Sequence, residues 1–295
     1  MKLGFIGLGV MGAPMAAHLV AAGHDVSGYD VAAAAGEKLE AAGGRAARDV
    51  ADAVAGADVV ITMLPNHPHV EEVVLAAGGV LDTAGPGTLL IDMSTIRPET
   101  SIAIAEAARD KKIHVLDAPV SGGQAGAEQA SLSIMVGGRE EDFEAAKPVL
   151  DAVGKTVVHV GPHGAGQVVK AANQLVVGGI YGLVAEAIVL LEASGVDAAT
   201  GLDVLAGGLA GSRILELKRQ SMVDRRFAPG FRIDLHHKDM GIALAAARQA
   251  GVALPLTGLV AQLVAAGRAM GYGSLDHSAL LKVVEQLSGR VPAEV

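Results

Sequence analysis

Lys170 and Asn173 lie three residues apart in a stretch, residues 164–173, that is otherwise nearly free of charge. On a helix that spacing puts both side chains on one face. A lysine on an apolar face is costly unless it pairs, reaches water along its own stem or works chemically. Partial burial brings a lysine closer to shedding its proton at neutral pH, which suits general acid–base work. A lysine that merely snorkels fits the residues equally well. A second candidate is the run Asp117-Ala118-Pro119-Val120-Ser121-Gly122-Gly123. Small residues and a serine after a strand expose backbone N–H groups, so Ser121, Gly122 and Gly123 form a possible cradle for a carboxylate. An ordinary tight surface turn is the alternative. A third, residues 229–239, gathers charge and the adjacent His236 and His237 in an otherwise apolar region, which suggests a segment facing a cleft. Adjacent helical residues point about 100° apart and this segment has no H-x-x-x-H spacing, so no metal site is expected.

The most specific motif is Gly7-Leu8-Gly9-Val10-Met11-Gly12, a G-x-G-x-x-G between a strand-like run and a helix-like run. Gly7 permits the tight turn, Gly9 lets a pyrophosphate approach the backbone, and Gly12 lets the helix pack closely on the strand. The following helix offers its N-terminal N–H groups and positive dipole end to the phosphates. Asp30, 18 residues after Gly12, ends the second strand-like run. A carboxylate there accepts from the ribose hydroxyls and repels a 2′-phosphate, and no Arg follows within several residues to bind one. NAD is therefore expected over NADP, with NADP possible; a carboxylate that only caps a turn is the alternative. Met63, Leu64, Pro65 and Asn66 follow one further strand-like run and Thr95 another. In doubly wound folds ligands lie outside the carboxyl ends of strands, so these residues are candidates for the cofactor wall, or else plain loop residues.

These groups need elements to hold them. Strand-like runs at residues 2–6, 26–29, 58–63, 88–93, 113–117, 133–136 and 157–160 alternate with helix-like stretches, which predicts a mostly parallel, doubly wound α/β sheet. Beyond about residue 164 the pattern turns to long Ala/Leu/Val-rich stretches broken by glycine or proline. The expected organisation is a dinucleotide-binding Rossmann domain over 1–163 and an all-helical domain over 164–295, joined by a long helix. Residues 175–191 are apolar except for Glu186 and resemble a membrane span. They fall short of the ~20 residues a span needs and carry a central charge, so a helix buried on most sides is expected and no membrane.

Composition narrows the function. The net charge of −9 and 2% aromatic residues argue against a nucleic-acid partner. A small anionic substrate then needs local positive charge in its site, because the chain as a whole repels it. The absence of cysteine excludes disulfides and thiolate chemistry and fits a reducing compartment. The first apolar run is only a few residues long, so no signal peptide is expected and the cytoplasm is the expected location.

The opening Gly4-Phe5-Ile6-Gly7-Leu8-Gly9-Val10-Met11-Gly12-Ala13-Pro14-Met15-Ala16, the run ending at Gly123, residues 164–173 and the Lys238-Asp239 pair resemble the β-hydroxyacid dehydrogenase family, in the right order and across nearly the whole chain. The resemblance implies that Lys170 is catalytic and that Asn173, Ser121, Gly122 and Gly123 hold the substrate. It implies that Thr95 and Lys238 touch the cofactor and that Asp239 orients nearby lysines. It implies catalysis in a cleft between the domains, a three- or four-carbon acid as substrate, and a homodimer or homotetramer. Residues 63–70, 207–212, 229–239 and 276–280, with Gln174 after Asn173, point within the family to reduction of tartronate semialdehyde; oxidation of 3-hydroxyisobutyrate is the alternative. The absence of a basic residue after Asp30 departs from that pattern. A dinucleotide-binding module without chemistry is the remaining alternative, and Lys170 with Asn173 argues against it.

Overall fold

The computed structural model describes residues 1–290 and divides the chain into two compact units, Met1–Lys170 and Ala171–Val295. The first unit is built on a nine-stranded sheet. Its strands are β1 (Lys2–Ile6), β2 (Asp25–Tyr29), β3 (Arg45–Ala46), β4 (Val59–Thr62), β5 (Leu89–Asp92), β6 (His114–Asp117), β7 (Val120–Ser121), β8 (Leu132–Gly138) and β9 (Gly154–Gly161). They run in the order β3-β2-β1-β4-β5-β6-β8-β7, with β9 also on β8. All pairs from β3 to β6 are parallel, as is β8 with β9, while β6 and β7 meet β8 antiparallel.

Parallel strands covered by helices on both faces are buried on both faces, and their sequences read as unbroken apolar runs. VVIT in β4 and LLID in β5 are buried at every position. Alternate side chains enter two separate cores. Leu3, Phe5, Ile61 and Ile91 join one, while Ile6, Val60, Leu90 and Val115 join the other. Seven strands fall where the apolar runs predict them. The two-residue strands β3 and β7 do not announce themselves, because two residues carry no periodicity.

The second unit is helical. It holds most of the long helix Ala165–Ala193 and the helices Ala198–Ala206, Arg213–Val223, Ile233–Ala250, Pro255–Gly267 and Leu280–Leu287. Their ends carry ordinary signals. Asp197 accepts the Thr200 N–H, Ser212 accepts the Leu215 N–H, and Gly251 stops its helix in the left-handed conformation at φ 67°. The core gathers Tyr181, Ile188, Leu202, Met222, Ile233, Met240, Val264 and Leu281.

The units divide at Lys170/Ala171, two turns into the long helix that begins just after the expected 163/164 boundary. Hydrogen bonds from the first turns of that helix to the sheet fasten them to the first unit. One expectation needs correction: the long helix is less buried than its composition suggests. It is long and apolar enough to cross a membrane by length and composition, yet only 44% of its most apolar window is buried. Val169, Val176, Leu183 and Leu190, seven apart, are exposed along it.

Candidate active site

The parallel strands end in line. Ile6 is in register with Tyr29 and Thr62, Thr62 with Asp92, and Asp92 with Asp117. Each candidate residue of the first 120 or so therefore leaves the sheet at the same edge, just past β1, β2, β4, β5 or β6. The order reverses about β1, with β2 on one side and β4 on the other, which makes this edge a topological switch point where ligands bind.

The glycine turn is shaped by close approach. Gly7 has φ 99°, and a Cβ there would lie 2.3 Å from the Met63 carbonyl oxygen. A Cβ on Gly12 would lie 1.8 Å from the Gly7 carbonyl oxygen. Gly9 differs: a Cβ there meets nothing within 4 Å. Gly7 and Gly12 are thus required by the fold itself, while Gly9 faces open space, which leaves its backbone approachable. The helix that follows, Gly12–Ala21, starts with no side-chain cap. An open backbone at an uncapped helix N-terminus fits a pyrophosphate. Val10 is exposed and Met11 half-buried on this turn.

Asp30 sits beside it. Its carboxylate accepts the Leu8 N–H (2.8 Å) with one oxygen and the Ala32 N–H (2.9 Å) with the other. It therefore braces the glycine turn and caps the loop after β2. Two backbone bonds leave further lone pairs for sugar hydroxyls. Asn66 accepts the N–H of His67 and so caps the helix His67–Leu75. Leu64 N–H donates to Ser94 Oγ at 2.9 Å, which ties the loop after β4 to the loop carrying Thr95. Pro65 and Thr95 flank this tie. Ser121 lies in β7, paired with Ser133, and Gly122 and Gly123 take φ 138° and 60° before the helix Gly123–Glu128.

Lys170 is 6% exposed on the second turn of the long helix. The chain builds the start of that helix from backbone contacts. Asp117, at the end of β6, accepts the N–H groups of Gly164 (2.7 Å) and Gln167 (3.1 Å). Gln167 donates to the Ser94 carbonyl (2.9 Å) and accepts the Ile96 N–H (3.0 Å). Only glycine fits between them at position 166, where a Cβ would lie 2.4 Å from the Met135 carbonyl oxygen. Burial pushes Asp117 up to about 6, against the two N–H bonds and with the nearby Asp92 adding to the rise. Asp117 heads one candidate run and Gln167 lies in another, but the residue pattern alone gives neither this bracing role. Their partners lie 47 to 73 positions away. The available signal was an acid ending a buried strand.

In the second unit Asn173 is linked to Lys238 and Asp239 through a residue between them. Asn173 Nδ2 donates to Gln174 Oε1 (2.8 Å), and Gln174 Nε2 donates to Asp239 Oδ2 (2.5 Å). Asp239 Oδ1 stands 3.1 Å from Lys238 Nζ. The expected cleft-facing character of residues 229–239 does not hold for His236, which is fully buried. Its Nδ1 lies 2.9 Å from His277 Nδ1, and its Nε2 lies 3.2 Å from the Gln174 carbonyl oxygen. Asp276 anchors the same segment, accepting from the N–H groups of Gly230 and Phe231, the Ser278 hydroxyl and Lys218 Nζ. His236 and the backbone of Gly230 and Phe231 are thus held by the helical unit's own fold.

A glycine-turn nucleotide site followed by a buried lysine defines a nicotinamide-dinucleotide oxidoreductase. The NAD-binding domain of 6-phosphogluconate dehydrogenase matches residues 2–161, and the NAD-binding domain of NADP-dependent 3-hydroxyisobutyrate dehydrogenase matches residues 164–284. The chain is 41% identical to 2-(hydroxymethyl)glutarate dehydrogenase of Eubacterium barkeri over 98% of its length and 96% of the relative's. It is 40% identical to 2-hydroxy-3-oxopropionate reductase of Escherichia coli K12, covering 98% of each. A solved structure of Mycobacterium tuberculosis 3-hydroxyisobutyrate dehydrogenase with L-serine superposes with a TM-score of 0.87 at 38% identity, over 96% of this chain and 98% of that one. The chain belongs to the β-hydroxyacid dehydrogenase family.

Proposed function

We propose that this protein reduces tartronate semialdehyde to D-glycerate with NADH, using Lys170 as the proton donor. The observation that carries the reading is the buried Lys170 on a helix start fastened by Asp117 and Gln167, one turn before Asn173. The dinucleotide, when bound, supplies the hydride. Gly9 and the uncapped helix at Gly12 hold its phosphates, and Asp30 accepts from the ribose hydroxyls. Met63, Leu64, Pro65, Asn66 and Thr95 wall the nucleotide, and Lys238, oriented by Asp239, is a further cofactor contact. Ser121, Gly122 and Gly123 hold the substrate carboxylate and Asn173 its hydroxyl side.

As the aldehyde carbon is reduced, negative charge grows on its oxygen. Protonated Lys170 stabilises that charge and donates the proton. In the oxidising direction the neutral amine takes the hydroxyl proton. The Asp30 carboxylate, followed by Val31 rather than a basic residue, favours NADH over NADPH. The exposed Val176, Leu183 and Leu190 support self-association as a dimer or tetramer, which light scattering after gel filtration tests.

The second reading is 3-hydroxyisobutyrate oxidation, supported by the matching family model and structure. The two substrates differ by a hydroxyl against a methyl. A site that hydrogen-bonds the hydroxyl discriminates strongly, while an apolar pocket does so weakly. Measuring kcat/KM for tartronate and methylmalonate semialdehydes with both cofactors decides. The proposal expects the hydroxyl substrate and NADH to win; a clear preference for methylmalonate semialdehyde overturns it.

A further inference from the structure

Asn173 carries a primary amide, which presents a donor on one side and an acceptor on the other. Which side faces the substrate decides what the site prefers, so whatever fixes that amide fixes specificity. The chain has such a device. Asp239 is 1% exposed and pairs with Lys238 Nζ at 3.1 Å, and a carboxylate so paired accepts hydrogen bonds. Gln174, 4% exposed, must therefore turn its NH2 toward Asp239, as the 2.5 Å contact from Nε2 shows. That leaves Gln174 Oε1 facing the other way. Only a donor can meet it, and it takes Asn173 Nδ2 at 2.8 Å. Asn173 Oδ1, on the far side of the same planar group, is left as an acceptor turned away from Gln174.

The linking residue is itself held. His236 Nε2 approaches the Gln174 carbonyl at 3.2 Å, and a carbonyl accepts, so the ring nitrogen donates. Gly178 makes room for that ring, since a Cβ there would lie 3.1 Å from His236 Nε2. The two histidine Nδ1 atoms, 2.9 Å apart, share one proton, because two lone pairs or two N–H groups would repel. Gln174 is thus fixed through its backbone by His236, through its NH2 by Asp239 and through its oxygen by Asn173.

We propose that Gln174 is the positioning residue that orients the Asn173 amide, so that the site selects acids whose second carbon carries a hydrogen-bond donor, a hydroxyl or an ammonium, over those carrying a methyl. This rests on the reading of Asn173 as a substrate-holding residue. A methyl group facing Asn173 Oδ1 leaves that oxygen without a donor, a loss that a hydroxyl or ammonium avoids. Asparagine at position 174 has the same chemistry but is one methylene too short to span both partners.

The test is steady-state kinetics of Gln174→Met, Gln174→Asn, Asn173→Ala and the Asn173→Ala/Gln174→Met double variant. The substrates are D-glycerate, L-serine and 3-hydroxyisobutyrate, and NADH binding is read by fluorescence. Gln174→Met, which keeps the volume, is expected to lower kcat/KM for the wild type's best donor-bearing substrate by about 10–100-fold, mostly through KM. Its effect on the methyl substrate is expected to be a few-fold, with NADH binding unchanged. Gln174→Asn is expected to behave like Gln174→Met. Once Asn173 is alanine, the change at 174 is expected to add little. Equal losses on donor and methyl substrates, or additive losses in the double variant, overturn the proposal. A wild-type preference for the methyl acid overturns it as well, whereas a failure of the tartronate semialdehyde reading alone shows as a wild-type preference for L-serine over D-glycerate with the double-variant result intact.

Discussion

Asp117 in the sheet unit and Asp276 in the helical unit are each 1% exposed, yet they titrate in opposite directions. Asp117 is pushed up to about 6, first by burial, with Asp92 adding to the rise, while its partners are backbone N–H groups. Asp276 feels burial too, but His277, the Ser278 hydroxyl, Lys218 and the Gly230 N–H outweigh it and hold it at about 2. Burial alone does not set the charge state; the company of cations does. The contrast extends to how each unit is built. The sheet unit shapes its site with backbone, through glycines and N–H groups at strand ends. The helical unit uses side chains that meet across long sequence separations.

The contrast is sharpest in the cost of removing each carboxylate. Asp276→Ala leaves the part-buried Lys218 and four further donors without their acceptor, and is expected to cost about 3–5 kcal/mol in urea denaturation. Asp117→Ala strips two backbone N–H groups of their acceptor but strands no cation, and is expected to cost about 1–3 kcal/mol. A larger loss at position 117 than at 276 breaks the comparison.

pH separates the two next. Between pH 3.8 and about 6 the unfolded chain is ionised at position 117 and the folded chain is not. Stability from this group is greatest below that window and falls by about 3 kcal/mol across it as pH rises. Asp276 acts in reverse. Its contribution is present above 3.8 and is lost as pH falls toward about 2, by about 2 kcal/mol. Unfolding of wild type against Asp117→Asn over pH 4 to 7 tests the first half, because the variant is expected to lack that decline.

A smaller contrast lies inside the glycine turn. Gly12→Ala puts a methyl into the Gly7 carbonyl and is expected to lower the melting temperature, whereas Gly9→Ala meets open space and is expected to leave it within about 2 °C. NADH titration of Gly9→Ala is nevertheless expected to show at least about tenfold weaker binding, because the pyrophosphate loses its close approach. Normal affinity in that variant removes the glycine turn from the cofactor site.

The same contrast explains what the sequence made legible. Gly7, Gly9 and Gly12 declared the nucleotide turn, because close backbone approach demands glycine at fixed spacing. Seven strands declared themselves through apolar runs in a sheet buried on both faces. Asp117, Gln167, Gln174 and His277 did not, because their roles depend on partners brought together only by folding. His236 and His277 are 41 positions apart, and Gln174 and Asp239 are 65 apart. The charge of residues 229–239 suggested a cleft because nothing in the sequence shows that Asp276 and His277 return to bind that segment. The first turns of the long helix belong with the sheet for the same reason: the bonds fastening residues 164–167 to it reach back to positions 94–117.

The central claim is that one buried amine moves the proton. Steady-state reduction of tartronate semialdehyde by Lys170→Ala, with NADH binding followed by fluorescence, tests it most directly. The account predicts a fall in kcat of at least about 10³-fold with cofactor affinity near that of the wild type. A variant that keeps a tenth of wild-type turnover contradicts it.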